Sequence, residues 1–103
     1  GPIIEADLSS YPGQGIWDNE FSSLQLVQPD LQILYTYMNP IGDIDLKDCP
    51  NLTLLDVAYT GISEFDLTNC TQLDTLLCYG NNLSKLDLSK LTGLRKLDAK
   101  KNH

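Results

Sequence analysis

The chain has 103 residues, with 14 acidic and 7 basic side chains and a formal net charge of -7. This length fits one domain with a shared core. Because nucleic acid and anionic membranes both repel an acidic surface, the charge argues against either as a partner and favours a basic or weakly charged one. The sequence contains no apolar run that could span a membrane, so we expect no membrane insertion.

Residues 1–28 form an irregular start. The short segment 6–9, Ala-Asp-Leu-Ser, matches the later segment 86–89, Leu-Asp-Leu-Ser, so we expect both on the wall that returns from one strand to the next. Further on, Ile16 and Asn19 fit the repeat described below. Because terminal repeats have one face in water and are usually atypical, the sequence predicts an N-terminal cap and a degenerate first repeat here.

From residue 29 to residue 103 the sequence repeats every 21 residues, most clearly in residues 73–88, LDTLLCYGNNLSKLDL. A shift of 21 residues places Leu73, Leu76, Cys78, Asn81, Leu83, Leu86 and Leu88 on Leu52, Leu55, Val57, Thr60, Ile62, Phe65 and Leu67. The pattern L-x-x-L-x-(L/C)-x-x-N-x-L at this period is the signature of leucine-rich repeats. We predict three full repeats and one truncated repeat in a single structural domain.

Each repeat should begin with a short strand. Alternation sends Leu76 and Cys78 inward and leaves Leu77 and Tyr79 outward. One repeat cannot bury its own apolar side, so neighbouring repeats should stack with their strands about 4.8 Å apart. Long helices are not expected, because the return segments are short and rich in Asp, Asn, Gly and Pro.

A polar corner should follow each strand, because an Asn amide can both donate to and accept from the backbone groups freed at the bend. The corner column is Asn19, Asn39, Thr60, Asn81 and Asn102. A hydroxyl reaches less far than an amide, so the Thr60 corner should be the weaker one.

At these residues the chain resembles the internalin-type leucine-rich repeats of bacteria, in particular the branch with 21-residue units and a cysteine in the strand. The closest match is residues 76–89, LLCYGNNLSKLDLS. Thr60, and the small Thr36 and Ala99 in the strand column, depart from the family pattern. The resemblance implies a right-handed α/β-type leucine-rich-repeat solenoid, with a parallel sheet on the concave face and little helix on the convex face. It further implies a secreted or surface-anchored binding scaffold, although a fold hosts many functions.

The positions of the three cysteines indicate packing in the core rather than a disulfide or a metal site. Cys78 lies at an inward strand position, and Cys49 and Cys70 share one column that Leu91 continues. A bridge between Cys49 and Cys70 is the alternative, since adjacent repeats come within disulfide range, although parallel side chains would strain it. A zinc site is not expected, because the chain has no C-x-x-C and its only histidine is His103.

Catalytic residues are scarce, because nucleophile mechanisms need a positioned base and the single histidine is the last residue. We therefore expect no enzyme and no cofactor. Asp45, Asp66 and Asp87 form an outward column that could bind calcium. Such residues more often accept local backbone hydrogen bonds at turns, so no metal site is predicted.

The outward side of the strands, called the strand face below, is the candidate ligand site. In chain order its residues are Trp17; Ile33, Tyr35 and Tyr37; Leu54, Asp56 and Ala58; Thr75, Leu77 and Tyr79; and Lys96, Asp98 and Lys100. Met38 and Tyr59 lie just beyond the last column. Aromatic and aliphatic side chains replace the usual Thr, Lys, Glu or Ser, and such exposed apolar patches mark binding sites. The alternative is that the aromatics stack along the sheet only for stability.

Two functions are consistent with the sequence. The first is a protein-binding or peptide-binding module of an exported bacterial surface protein, which recognises its partner through the strand face. The second is a structural or self-associating segment of a larger solenoid, joined through open ends or through the aromatic face. An exposed sheet edge at residues 96–100 makes the second plausible.

Overall fold

The computed structural model describes residues 5–7, 24–27, 29–39 and 41–102. These ranges contain short strands and no helix. The strands are β1 Glu5–Asp7, β2 Leu24–Val27, β3 Ile33–Tyr35, β4 Ile44–Asp48, β5 Leu54–Asp56, β6 Thr75–Leu77 and β7 Lys96–Asp98. Five of them form one parallel sheet in the order β1-β3-β5-β6-β7, and β2 and β4 form a separate parallel pair. The fold is therefore strand-rich, with a parallel sheet at its centre.

The large sheet is aligned by the sequence period. Ile33 pairs with Leu54, Leu54 with Thr75, and Thr75 with Lys96, so each step is 21 residues. Equivalent positions of successive repeats consequently lie side by side across the sheet. The prediction of a short strand at the start of each repeat is confirmed for β3, β5, β6 and β7.

The start of the chain differs from the expectation. Residues 6–9 were expected on the return wall, whereas Ala6 lies in β1 of the large sheet and pairs with Leu34 of β3. The expectation is therefore wrong for Ala6 and Asp7, because a short Asp-Leu-Ser similarity does not determine position in the fold. Leu8 and Ser9 lie outside the described residues. Ile16, Trp17 and Asn19 lie outside the described residues.

The core lies behind the large sheet and follows the columns of the repeat. The inward strand residues Leu34, Leu55 and Leu76 are all 0% exposed, as the alternation predicts. Their counterpart in β7, Leu97, is 43% exposed because β7 is the last strand of the sheet. Burial of the apolar columns therefore depends on a neighbouring repeat on each side.

The return wall contains more strand than expected. Ile44 of β4 pairs with Leu24 of β2, and the register shifts between Gln25 and Val27. The corresponding return segments of the later repeats contain no strand. Ile44 and Leu46 nevertheless face inward, as the repeat predicts, and join the core cluster.

The corner of the third repeat shows how the amide is used. Asn81 Nδ2 donates to Val57 O at 2.8 Å and to Cys78 O at 3.0 Å, and its Oδ1 accepts from Thr60 N at 2.8 Å and Gly61 N at 2.9 Å. One side chain therefore joins two neighbouring repeats.

The other described corner residues differ in the groups that their side chains contact. The Thr60 hydroxyl donates to Val57 O at 2.7 Å, within its own repeat. Asn102 reaches back to Cys78 O at 3.0 Å, and its Oδ1 accepts from Leu83 N at 2.9 Å. Asn39 Nδ2 donates to Thr36 O at 3.2 Å. The Thr60 hydroxyl also lies 3.3 Å from Asn81 Oδ1 of the next repeat.

All three cysteines are buried thiols that form no disulfide, so the bridge between Cys49 and Cys70 is absent. The Cys70 thiol instead points towards the Cys49 carbonyl, with 3.9 Å between Sγ and O. Burial, with smaller contributions from Cys49 and Asp66, raises the pKa of Cys70 to about 11. Burial, together with Asp98, raises the pKa of Cys78 to about 11. Both thiols are therefore poor nucleophiles in the folded protein.

A thiol titration tests this assignment. Unfolded in denaturant without reductant, the chain should react with three equivalents of a thiol reagent, because none of the three cysteines is in a disulfide. The folded protein should react far more slowly at pH 8, since burial disfavours the thiolate. One equivalent in denaturant would instead reveal a disulfide and contradict the free-thiol arrangement.

Candidate strand-face binding site

The strand face brings most of the predicted binding residues into one surface. Ile33, Tyr35, Tyr37, Leu54, Thr75, Leu77, Tyr79 and Asp98 are partly exposed, and Lys96 and Lys100 are exposed. Each row across the sheet holds equivalent residues, for example Ile33, Leu54, Thr75 and Lys96. Trp17 lies outside the described residues. The rest of the face forms a continuous, partly apolar surface.

Two positions of this face are more buried than predicted. Asp56 is only 9% exposed and Ala58 is 0% exposed. Asp56 lies in register between Tyr35 and Leu77, whose larger side chains shield it from both sides. Alternation of strand residues thus assigns the face of the sheet correctly but does not determine exposure, which also depends on the size of the neighbours.

Three tyrosines, Tyr37, Tyr59 and Tyr79, form the tyrosine cluster at one end of the face. The Tyr59 ring stands edge-on to both others, with centroids 5.9 Å from Tyr37 and 5.5 Å from Tyr79 and interplanar angles of 87° and 90°. This T-shaped geometry is the favourable one for aromatic pairs. Ala58 is the small residue between Tyr37 and Tyr79 in their column, and the Tyr59 ring joins those two rings instead. The aromatic surface is therefore continuous across three repeats.

Tyr59 is a site residue that the sequence interpretation placed just beyond the face. Its φ of 53° is left-handed, and the equivalent residues Met38, Gly80 and Lys101 share that conformation. This turn directs the Tyr59 ring towards the next repeat, over Gly80. A Cβ at Gly80 would collide with Cε1 of the Tyr59 ring. The available sequence signal is the glycine found 21 residues after an aromatic residue.

Replacement of Gly80 should therefore disrupt the tyrosine cluster. Gly80→Ala adds a methyl group where the Tyr59 ring lies, so the ring must move and lose its contacts with Tyr37 and Tyr79. We expect a loss of unfolding free energy that exceeds that of Gly61→Ala by about 1 kcal/mol or more. Denaturant unfolding and the tyrosine ring resonances in NMR spectra measure the two effects.

Gly61→Ala is the matched control. Gly61 has a φ of 76°, close to the 71° of Gly80, and an added Cβ would meet nothing within 4 Å. Backbone strain is therefore similar in the two variants, and only Gly80→Ala should shift the ring signals. Equal stability loss and unchanged rings in both variants would contradict the proposed contact.

Charge divides the strand face. Glu5 and Asp7 of β1 are exposed acids, whereas Lys96 and Lys100 are exposed bases at β7. Lys101 Nζ also donates to the Tyr59 hydroxyl at 3.3 Å. The face is thus acidic at its β1 edge and basic at its β7 edge.

Asp56 lies between these edges. Burial raises the pKa of Asp56. The hydrogen bond from the Ala58 N–H lowers this pKa, and the nearby Asp7 carboxylate raises it further. Burial, followed by the Asp56 carboxylate, also raises the pKa of the Tyr79 hydroxyl. The carboxylate and the tyrosine cluster therefore form one electrostatic site.

The acidic column on the return wall is accounted for by local structure. Asp45, Asp66 and Asp87 lie along a groove of about 600 Å³. Each Oδ1 accepts a hydrogen bond from the backbone N–H two residues later, at 3.0, 2.9 and 2.9 Å respectively. Hydrogen bonds from the side chains of Thr68 and Ser89 hold the pKa values of Asp66 and Asp87 below the ordinary one. Within the described ranges, no group of three or more His, Cys, Asp or Glu residues is arranged to hold a metal ion.

Comparison of this chain with protein-family models, with curated proteins and with solved structures finds no match. A search of the described part of the chain also finds no helix long and apolar enough to cross a membrane.

Proposed function

We propose that the chain is a leucine-rich-repeat solenoid of the internalin type that binds a protein or peptide through its strand face. The 21-residue register of β3, β5, β6 and β7 and the corner amides support the repeat assignment. The resemblance of residues 76–89 to bacterial repeats supports an exported protein that acts at the cell surface. No catalytic step and no cofactor are part of this proposal.

The tyrosine cluster is the observation that carries the binding function. Its rings pack on one another at the surface of the sheet, and Tyr59 remains 36% exposed. A tyrosine side chain has few rotatable bonds, so contact with a partner costs little conformational entropy. Tyrosines in such positions commonly provide much of the binding energy of an interface.

Alanine substitutions separate the proposed roles of rings and charges. We expect Tyr37→Ala or Tyr79→Ala to weaken binding of a partner by more than about 1 kcal/mol, because desolvated rings contribute directly to affinity. Lys100→Ala should chiefly slow association at low salt, because exposed charges act over distance and are screened. Surface plasmon resonance on a partner isolated from the native source measures both. Unchanged binding after both tyrosine substitutions would exclude the strand face as the site.

The second candidate is a structural or self-associating segment. The exposure of Leu97, at 43%, supports it, because equivalent leucines in the preceding strands are fully buried. A further repeat or a second copy could cover this residue and pair with β7.

Light scattering over a concentration series distinguishes the two candidates. A dimer that dissociates in the double variant Tyr37→Ala, Tyr79→Ala would indicate association through the aromatic face. A dimer that persists in this variant but is lost in Leu97→Lys would indicate association through the open end. A monomer at all concentrations favours the binding module.

A further inference from the structure

Asp56 is a buried carboxylate in the middle of the strand face, and none of the lysines and arginines that the structure describes forms an ion pair with it. Its Oδ1 accepts a hydrogen bond from Ala58 N at 3.1 Å. The ion pairs among the described residues join Lys47 to Asp45 and Arg95 to Asp74. Neither pair reaches Asp56. A buried carboxylate is normally paired with a cation or strongly hydrogen-bonded, whereas the described residues give this one a backbone N–H donor and no cation.

The surroundings of Asp56 add negative charge. Asp7, Tyr35, Asp56, Leu77 and Asp98 occupy one row across β1, β3, β5, β6 and β7. The carboxylates of this row are thus two strands apart, or about 10 Å. The Asp7 carboxylate contributes to the raised pKa of Asp56, so negative charge in this row acts on Asp56. The site therefore attracts a cation.

The lysines next to Asp98 determine which carboxylate of the row can bind that cation. Lys96 lies two residues before Asp98 in β7, so both side chains point to the same side of the sheet. Lys100 is an exposed base two residues after Asp98, just beyond the end of the strand. A positively charged group that approaches Asp98 meets these lysines. Asp56 has no lysine or arginine on its own strand, which makes it the favoured position.

The aromatic neighbours select the kind of cation. Tyr79 lies beside Asp56 in the next repeat, and Tyr35 precedes it in the same row. A guanidinium is planar, stacks on aromatic rings and offers parallel N–H donors to a carboxylate, whereas an ammonium is a compact and strongly hydrated charge. A carboxylate with Tyr35 and Tyr79 as neighbours is therefore better matched to arginine than to lysine.

We propose that the partner presents an arginine side chain to the strand face, and that its guanidinium pairs with the Asp56 carboxylate and stacks on Tyr79. This inference rests on the proposed function and names the chemistry that the face recognises. Arginine binding removes the electrostatic penalty that Asp56 carries in the free protein.

The probes for this site are two blocked tripeptides, acetyl-Gly-Arg-Gly-amide and its citrulline counterpart. Citrulline has nearly the shape of arginine but no charge, so the pair isolates the ionic contribution. In an NMR titration of the full chain, the arginine peptide should shift the Ala58 amide and the Tyr79 ring. We expect it to bind about tenfold more tightly than the citrulline peptide.

Asp56→Asn is the decisive variant, because it retains an oxygen for the Ala58 N–H while it removes the charge. It should fold with a melting temperature no lower than that of the parent chain, since burial disfavours the charged carboxylate. It should bind the two peptides equally. Glu64→Gln removes the same charge from an exposed position on the return wall, and it should keep the full preference for arginine.

The outcomes separate this inference from the binding function itself. Equal affinity of the parent chain for the two peptides, including binding of neither, overturns the arginine site. So does a preference for arginine that survives Asp56→Asn. In either case, loss of partner binding in the Tyr37→Ala and Tyr79→Ala variants would still support the strand face as the binding site.

Discussion

Leu76→Ala should lower the free energy of unfolding by about 2–5 kcal/mol. Leu76 is 0% exposed and lies between Leu55 and Leu97 in the register of the sheet. Truncation removes contacts with both neighbouring repeats and leaves a cavity that those repeats cannot easily fill. Equilibrium unfolding in urea, followed by circular dichroism, measures the change.

Leu77→Ala is the control from the same strand. Leu77 points to the opposite side of β6 and is partly exposed. We expect a loss of about 1 kcal/mol or less, because only part of its apolar surface is buried. If Leu77→Ala proves more costly than Leu76→Ala, the inward and outward sides of the sheet have been assigned in reverse.

Asn81→Ala should be the most destabilising change in the corner column. It leaves Thr60 N and Gly61 N without their acceptor, and Val57 O and Cys78 O lose a donor. Each unpaired buried group costs about 1–3 kcal/mol. We expect the loss of unfolding free energy to exceed that of Thr60→Ala by about 1–3 kcal/mol.

Thr60→Ala is the appropriate comparison because Thr60 occupies the same corner one repeat earlier. Its hydroxyl lies 2.7 Å from Val57 O of its own repeat and, at the longer distance of 3.3 Å, from Asn81 Oδ1 of the next. Val57 O also accepts from Asn81, so the substitution leaves this carbonyl with a partner. Similar urea midpoints for the two variants would mean that water satisfies the Asn81 corner groups.

The sheet could be predicted largely from the sequence, because two regularities act together. Alternation along residues 76–79 places Leu76 and Cys78 inward, and the 21-residue period extends the inward assignment of Leu76 to Leu55 and Leu34. β1 was not predicted, since Glu5 pairs with Ile33, 28 residues later, and this step departs from the period. A strand that lacks the repeat pattern can only be located through its tertiary contacts.

The candidate site was predicted less completely than the sheet. Tyr37 and Tyr79 follow from alternation, but Tyr59 joins them only because its backbone adopts a left-handed conformation. The burial of Asp56 follows from the size of Tyr35 and Leu77 rather than from its own position in the strand. Side-chain burial and contacts between repeats can be predicted only when the register of the strands is known in addition to the sequence pattern.

Regular spacing also creates a folding hazard, because a strand could pair with the repeat beyond its proper neighbour and keep its side chains on the correct faces. The contact between Tyr59 and Gly80 discriminates against that error. If β5 skipped β6 and paired with β7, Lys101 would take the place of Gly80 and put a side chain where the Tyr59 ring lies. The absence of a Cβ at Gly80 therefore favours pairing of β5 with β6 over pairing of β5 with β7.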